Sequence, residues 1–366
     1  MDKNIRDISI FGVGKLGLCL ALNLEKNGFN VLGVDVGEDY VKKVNSKKIK
    51  SAERGVNGLL RESKNFKATT STAEGVAFSD TLFVLVATPS LPDGSYDHCQ
   101  ILDLAEKLKS LGKQKTTKHL IVGCTTMPSF CDQLQRDLGG YNYEISYNPE
   151  FIAQGTILRD QLNPDMVLIG CKNTKNADNL IKIYKNLVKS EPTYHVMSPI
   201  SAEICKISLN CFITTKIAFT NMVGDLATKV GGEPQKIMNA IADDSRVGVK
   251  CTRYGYGYGG PCFPRDNRAL GVFAKASDCA IHISDATDTC NRDHLLFMIK
   301  NYSGPNQITF ESITYKPESD IIEESQQLLY AVGLAKNGVS VTIRERPEVV
   351  EKLKNIYHNL FKYEIR

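Results

Sequence analysis

No pair of cysteines in this chain has CxxC spacing, although eleven are scattered through its 366 residues. That scatter and the odd count argue against a zinc module or a secreted disulfide framework, and no metal site is expected. The cysteines read as reduced cytosolic thiols. There is also no apolar stretch of signal-peptide or membrane-spanning length, and the opening MDKNIRD leads straight into a short strand-like run. A cytoplasmic protein without a membrane partner is therefore expected. Charge of one sign is not in excess: 45 basic residues stand against 41 acidic ones, for a net +4. That is too little, and too evenly spread, for a nucleic-acid footprint, yet it suits an anionic small substrate. Short-period repeats, low-complexity tracts and a disordered tail are missing as well.

With 42% hydrophobic and 23% charged residues, the chain is long enough for two or three domains around a well-buried core. From Asp7 to about Met197, strand-length apolar runs (ISIFGVG, VLGVD, LFVLVA, LIVGC, MVLIG, YHVM) alternate with helix-like stretches. This is the pattern of an α/β, doubly wound parallel sheet covered by helices. Ser198 and Pro199 then read as an N-cap and first helical position. Apolar residues at Ile204, Ile207, Cys211, Ala218, Met222 and Leu226 keep helical spacing up to Gly231 and Gly232. A helix of about 30 residues would run about 45 Å, too long for one small domain, so it is expected to bridge two and to carry a dimer contact. From Gln307 the strand–helix alternation returns in a second, smaller unit. The expected division is a Rossmann-like domain over 1–198, a central helical region over 199–300 and a smaller α/β domain over 301–366.

The first strand runs into Gly12-Val13-Gly14-Lys15-Leu16-Gly17, which opens a helix, and the second strand ends at Asp35. The first two glycines allow a tight turn and close approach of a pyrophosphate to the helix N-terminus, and the third lets helix pack on strand. Asp35, about 20 residues on, can accept hydrogen bonds from an adenosine ribose, which favours NAD over NADP. Thr88 and Pro89, ending the strand LFVLVATP, would line the cofactor's edge at the carboxyl ends of the strands.

The second chemical feature is GYGYGGPCFPRD, Gly255 to Asp266, which sets Cys262 in a glycine-rich loop just ahead of a basic and an acidic residue. A thiolate beside a cation is a plausible nucleophile. A structural cysteine in a tight turn would carry the same glycines and prolines. A thiol nucleophile beside an NAD pocket has a specific use. Its adduct with an aldehyde can lose a second hydride and leave a thioester for water to hydrolyse, which is a four-electron oxidation of an alcohol to an acid.

Four segments in order, NPEFIAQG (148–155), SAEICKISLN (201–210), GYGYGGPCFPRD (255–266) and TYKPESD (314–320), resemble the UDP-glucose/GDP-mannose dehydrogenase family, and within it the UDP-glucose 6-dehydrogenases. The resemblance runs from Ile8 to about Ser325. It implies that Cys262 is the nucleophile and that Lys206 and Asn210, one helical turn apart, contact the reacting sugar. The lysine would stabilise an alkoxide or tetrahedral oxyanion. Asp266, with the lysine, would order the water that deprotonates the alcohol, and Glu150 would assist thioester hydrolysis. Thr126, in CTTMP, would orient water and cofactor, and Arg265 would also reach the cofactor. On the substrate side the resemblance implies Phe151 and Ile152 beside Glu150, and Tyr256, Gly257 and Gly259 in the cysteine loop. Lys316 would bind from the smaller unit, and Arg246 would reach across to the partner of a homodimer.

Some positions depart from the family pattern. Arg265 stands where a lysine is usual, and Gln154 replaces a second glutamate four residues after Glu150. Glu323 replaces an arginine that normally reaches the cofactor, which is expected to weaken NAD binding. The chain stops at Arg366, so the second α/β unit reads as abbreviated. The expected reaction is oxidation of UDP-glucose to UDP-glucuronate with two NAD. Oxidation of GDP-mannose or a UDP-acetamidosugar, or a catalytically weakened sugar-nucleotide-binding homologue, are the alternatives.

Overall fold

The computed structural model describes residues 6–152, 155–316 and 319–366. The chain forms two compact units, Met1–Lys206 and Ile207–Arg366. The division falls inside a helix of 31 residues, Pro199–Lys229. Ser198 begins it as the sequence predicts: its hydroxyl oxygen accepts the amide of Ser201 at 3.3 Å. At the other end Gly231, at φ +79°, turns the chain out of the helix, and Gly232 donates back to Ala227 at 2.7 Å.

The first unit is built on eight strands: β1 (Asp7–Phe11), β2 (Asn30–Val34), β3 (Lys67–Thr69), β4 (Thr81–Val84), β5 (Lys118–Val122), β6 (Tyr143–Tyr147), β7 (Met166–Gly170) and β8 (Thr193–Met197). Their order is β3-β2-β1-β4-β5-β6-β7-β8. Pairing is parallel except between β6 and β7, which meet antiparallel at their carboxyl ends, Tyr147 opposite Gly170. Every residue of β4 and β5 is buried, as continuous apolar strands covered on both faces must be. Ile8 and Ile10 face one core layer, with Leu18, Leu22 and Leu24 of the helix Lys15–Lys26. Phe11, Leu82, Val84, Leu120 and Val122 face the other.

Six of these strands coincide with the apolar runs of the sequence. The other two, β3 and β6, have weaker signatures: β3 is only three residues long, and β6 mixes Glu144 and Ser146 among its aromatic and apolar residues. The β4 ladder also ends sooner than the run LFVLVATP suggests, at Val84. Leu85 adds one further bond, to the carbonyl of Phe11, and Thr88 and Pro89 lie in the loop beyond.

The second unit contains the rest of the long helix, the helices Pro234–Ala242, Phe263–Ala276 and His282–Lys300, and a parallel sheet of β9 (Gln307–Phe310), β10 (Ser340–Glu345) and β11 (Lys362–Ile365). The strand order is β11-β10-β9. Its core packs Phe310, Ile313, Leu328, Leu334, Ile343 and Leu353, with helix Gln326–Lys336 capped by the Ser325 hydroxyl. No helix among the described residues is long and apolar enough to cross a membrane.

Candidate active site

In the first unit the strand order reverses direction between β1 and β4, and this switch point leaves a crevice at the carboxyl ends of the strands. Gly12 lies there at φ +88°, where a side chain would be strained and its Cβ would stand 2.6 Å from the carbonyl of Leu85. Gly17 is just as constrained: a Cβ would come within 1.9 Å of the Gly12 carbonyl. Gly14 differs, since a Cβ there would meet nothing within 4 Å, and no side chain caps the helix Lys15–Lys26 that follows. The helix N-terminus is thus left for an anionic group, so the residues fit a dinucleotide pyrophosphate. Asp35 accepts the amides of Val13 and Gly37, each at 3.1 Å, and Tyr40 donates to the Val13 carbonyl at 2.7 Å. The glycine turn is therefore pinned to the acid expected to read the ribose. Burial pushes the Tyr40 hydroxyl up to about 12, so it stays a donor. Thr88 donates to the Thr125 carbonyl at 2.8 Å, joining the loops after β4 and β5.

The loop after β6 carries Asn148, Glu150, Phe151 and Ile152. Asn148 fixes its start by accepting from Tyr184 at 2.8 Å and donating to the Leu168 carbonyl at 2.9 Å. Lys206, buried on the long helix, donates to the Glu150 carbonyl at 2.7 Å, and its ammonium lies 4.5 Å from the Phe151 ring centre. Burial raises the Glu150 carboxyl from the ordinary 4.5 to about 7, with the Lys206 charge opposing that rise. A carboxyl that exchanges its proton near neutral pH is suited to general-base work. Ile152 packs against one core layer and Phe151 against the other. Gln154 lies outside the described residues.

Thr126 is fully buried, and its hydroxyl donates to Glu203 at 3.0 Å. The Glu203 carboxylate also accepts the amides of Ser129 at 2.7 Å and Cys131 at 2.9 Å, at the start of helix Phe130–Leu138. It thus caps that helix. Glu203 was not singled out in the sequence, although it lies three residues before Lys206 in SAEICKISLN, a spacing that puts both on neighbouring helix positions.

In the second unit Cys262 is exposed and forms the N-cap of helix Phe263–Ala276, where aligned backbone dipoles favour negative charge. Asp266, in the first turn, is 1% exposed and accepts from Asn210 at 2.6 Å. Arg265 pairs with Asp266 at 3.4 Å. The glycines ahead of Cys262 are demanded by packing: a Cβ at Gly259 would stand 2.1 Å from the Glu324 carbonyl, and one at Gly257 would be 2.2 Å from Asn291. Their conformations therefore have a cause within the fold, whatever they do for a ligand. Tyr256 is exposed and meets Tyr330 edge-on, 6.1 Å between ring centres. Arg246 forms an exposed pair with Asp244 at 2.7 Å. The Lys316 ammonium lies 5.6 Å from the ring centre of Tyr315. Glu323 is exposed, while its neighbour Glu324 makes a two-bond pair with Arg268 at 2.6 and 3.0 Å. No group of His, Cys, Asp and Glu that could hold a metal occurs among the described residues.

Comparison with known proteins gives this geometry its context. Residues 6–188 match the NAD binding domain of the UDP-glucose/GDP-mannose dehydrogenase family, and residues 200–293 match its central domain. The UDP-glucose 6-dehydrogenase of Rickettsia bellii is 27% identical over 348 residues, 92% of this chain and 80% of that protein. The GDP-mannose 6-dehydrogenase of Pseudomonas putida is 26% identical over 353 residues, 92% of this chain and 80% of its own length. A solved UDP-glucose dehydrogenase from Pyrobaculum islandicum superposes with a TM-score of 0.88 at 26% identity, covering 99% of this chain and 87% of that one. With its glycine cradle, its buried lysine bonded to the Glu150 backbone and its cysteine at a helix N-terminus, the chain belongs to the UDP-glucose/GDP-mannose dehydrogenase family of NAD-dependent oxidoreductases.

Proposed function

We propose that this protein is a cytoplasmic UDP-glucose 6-dehydrogenase that oxidises its substrate by four electrons to UDP-glucuronate. The observation that carries the reading is Cys262 at the N-terminus of its helix, with buried Asp266 one turn on and bonded to Asn210. The Gly12–Gly17 turn and Asp35 would hold NAD, which when bound would supply the hydride acceptor for both oxidations. Asp266 and Lys206 order the water that takes the alcohol proton. The S–H of Cys262 then adds across the aldehyde, sulfur to carbon and proton to oxygen. Loss of a hydride and the hydroxyl proton turns that adduct into a thioester. Water attacks the thioester carbon, Glu150 takes the water's proton, and the C–S bond breaks to return the thiol and release the acid.

The same chemistry would serve GDP-mannose, the substrate in the name of one of the relatives above. Arg265, Thr88 and Pro89 on the cofactor side, and Phe151, Ile152, Tyr256, Gly257, Gly259, Arg246 and Lys316 on the substrate side, keep their expected roles in this reading. We also infer a homodimer. Phe212, Phe219, Met222 and Leu226 on the long helix, and Val230 just past its end, are exposed at intervals of seven, three, four and four residues, an apolar stripe of the kind that a second copy would cover.

The test is to supply NAD with a panel of nucleotide sugars and to count NADH formed per sugar consumed. Two per UDP-glucose is the expected result. One per sugar would remove the covalent second oxidation, preference for GDP-mannose would move the substrate, and no turnover with any sugar would favour a binding homologue.

A further inference from the structure

His294, on helix His282–Lys300 of the second unit, is 2% exposed and sits between two hydrogen-bond acceptors. Its Nε2 lies 2.6 Å from the carbonyl oxygen of Gly255, and its Nδ1 lies 2.8 and 2.9 Å from the two carboxylate oxygens of Asp225. A carbonyl and a carboxylate are both acceptors, so the ring bridges two accepting groups and is oriented by both. Asp225 takes a further bond from the Tyr254 hydroxyl at 2.8 Å, while the Tyr254 ring meets His294 edge-on at 5.8 Å.

Gly255 opens the loop that leads to Cys262, and the same helix grips this loop again one turn earlier. Asn291 makes both possible bonds to the backbone of Tyr258, donating to its carbonyl and accepting its amide, each at 3.0 Å. Asp288 accepts from the Tyr258 hydroxyl. Residues 288, 291 and 294 thus form one polar stripe at helical spacing, and the close fit of Gly257 against Asn291 leaves the loop no slack. Asn221 holds the other side of Gly255, accepting its amide at 3.1 Å.

We propose that His294 is a positioning residue for Cys262. Bridging Asp225 and the Gly255 carbonyl, it fixes the register of the loop that places the thiol at the N-terminus of helix Phe263–Ala276. This rests on reading Cys262 as the nucleophile, and its test reads the thiol directly, apart from turnover.

In the full chain, alkylation of each cysteine by iodoacetamide is followed by peptide mass spectrometry, with exposed Cys99 as internal standard. His294→Gln leaves a single amide nitrogen to face two acceptors on opposite sides, and the rate at Cys262 relative to Cys99 is expected to fall by about threefold or more. Adding Asp225→Asn should restore most of that loss, because the introduced amide can donate to the glutamine oxygen and free the glutamine NH₂ for Gly255. A purely structural histidine would lower the melting temperature in both variants and leave the ratio unmoved, which overturns the proposal. Should His294→Gln not fold, Asp225→Ala alone decides, because it removes the partner that orients the ring: a folded variant with an unchanged ratio overturns the proposal equally. A chain that turns over no nucleotide sugar but shows the shifted ratio would remove the enzymatic reading and leave the positioning role standing.

Discussion

The Thr126 hydroxyl proton is committed to Glu203, so towards any third partner this threonine can only accept. The carboxylate that fixes this polarity also holds two backbone amides of the next helix, and it is wholly buried.

Removing that acceptor takes away the partner of three donors, two of them, the Thr126 hydroxyl and the Cys131 amide, buried. Glu203→Ala is expected to cost about 2–4 kcal/mol, and Glu203→Gln, which keeps one acceptor oxygen, about 1–2 kcal/mol. Urea unfolding of the two variants checks this ranking. Equal midpoints for both variants and the parent would show that the carboxylate stabilises nothing.

Glu150 links stability and rate to pH in opposite senses. Folding raises its pKa from 4.5 to about 7, so the folded state holds the proton more tightly than the unfolded one. Its contribution to stability is fully present below pH 4.5 and is lost as pH climbs to about 7. Acid release should rise over the upper part of the same window as the base ionises. Glu150→Gln is expected to flatten the stability slope and to slow thioester hydrolysis. A variant that kept the parent's slope and rate would assign both to another group.

Cys262→Ser should bind the sugar nucleotide with little change in Kd and form no acid. Calorimetry gives the first quantity, and product analysis gives the second. Acid formed at the parent's rate by this variant would end the nucleophile assignment.

The glycines of the dinucleotide turn should separate by cause. Gly17→Ala forces a Cβ against the Gly12 carbonyl and is expected to cost about 1–3 kcal/mol of stability. Gly14→Ala meets open space, so its unfolding midpoint should hold while NAD affinity falls about tenfold or more, through blocked approach to the helix N-terminus. Unchanged NAD affinity in that variant would place the pyrophosphate elsewhere.

Periodicity and local punctuation made most of the frame legible. The buried runs of β1, β4 and β5, the glycine turn with Asp35, and the Ser198 and Gly231 ends of the long helix all depend on neighbours in sequence. What escaped depends on residues far apart in the chain. Glu203 meets Thr126 across 77 positions, and His294 meets Gly255 across 39. Nothing local marks a glutamate or histidine whose partners arrive only on folding. Gly257 and Gly259 illustrate the reverse difficulty, since ligand approach and tight packing call for the same residue, and the packing arises only in the folded chain. The antiparallel meeting of β6 and β7 was equally silent, because an apolar run does not encode its direction.

Because the boundary between the compact units lies within the helix Pro199–Lys229, Lys206 belongs to one unit and Asn210 to the other, with no loop between them to absorb a change in length. Each residue inserted or deleted there would rotate one of these side chains against the other by about 100° around the helix axis. Surface connections elsewhere can lengthen or shorten at small cost. This stretch can drift in composition, but a change in its length would turn Lys206 and Asn210 away from their shared helix face.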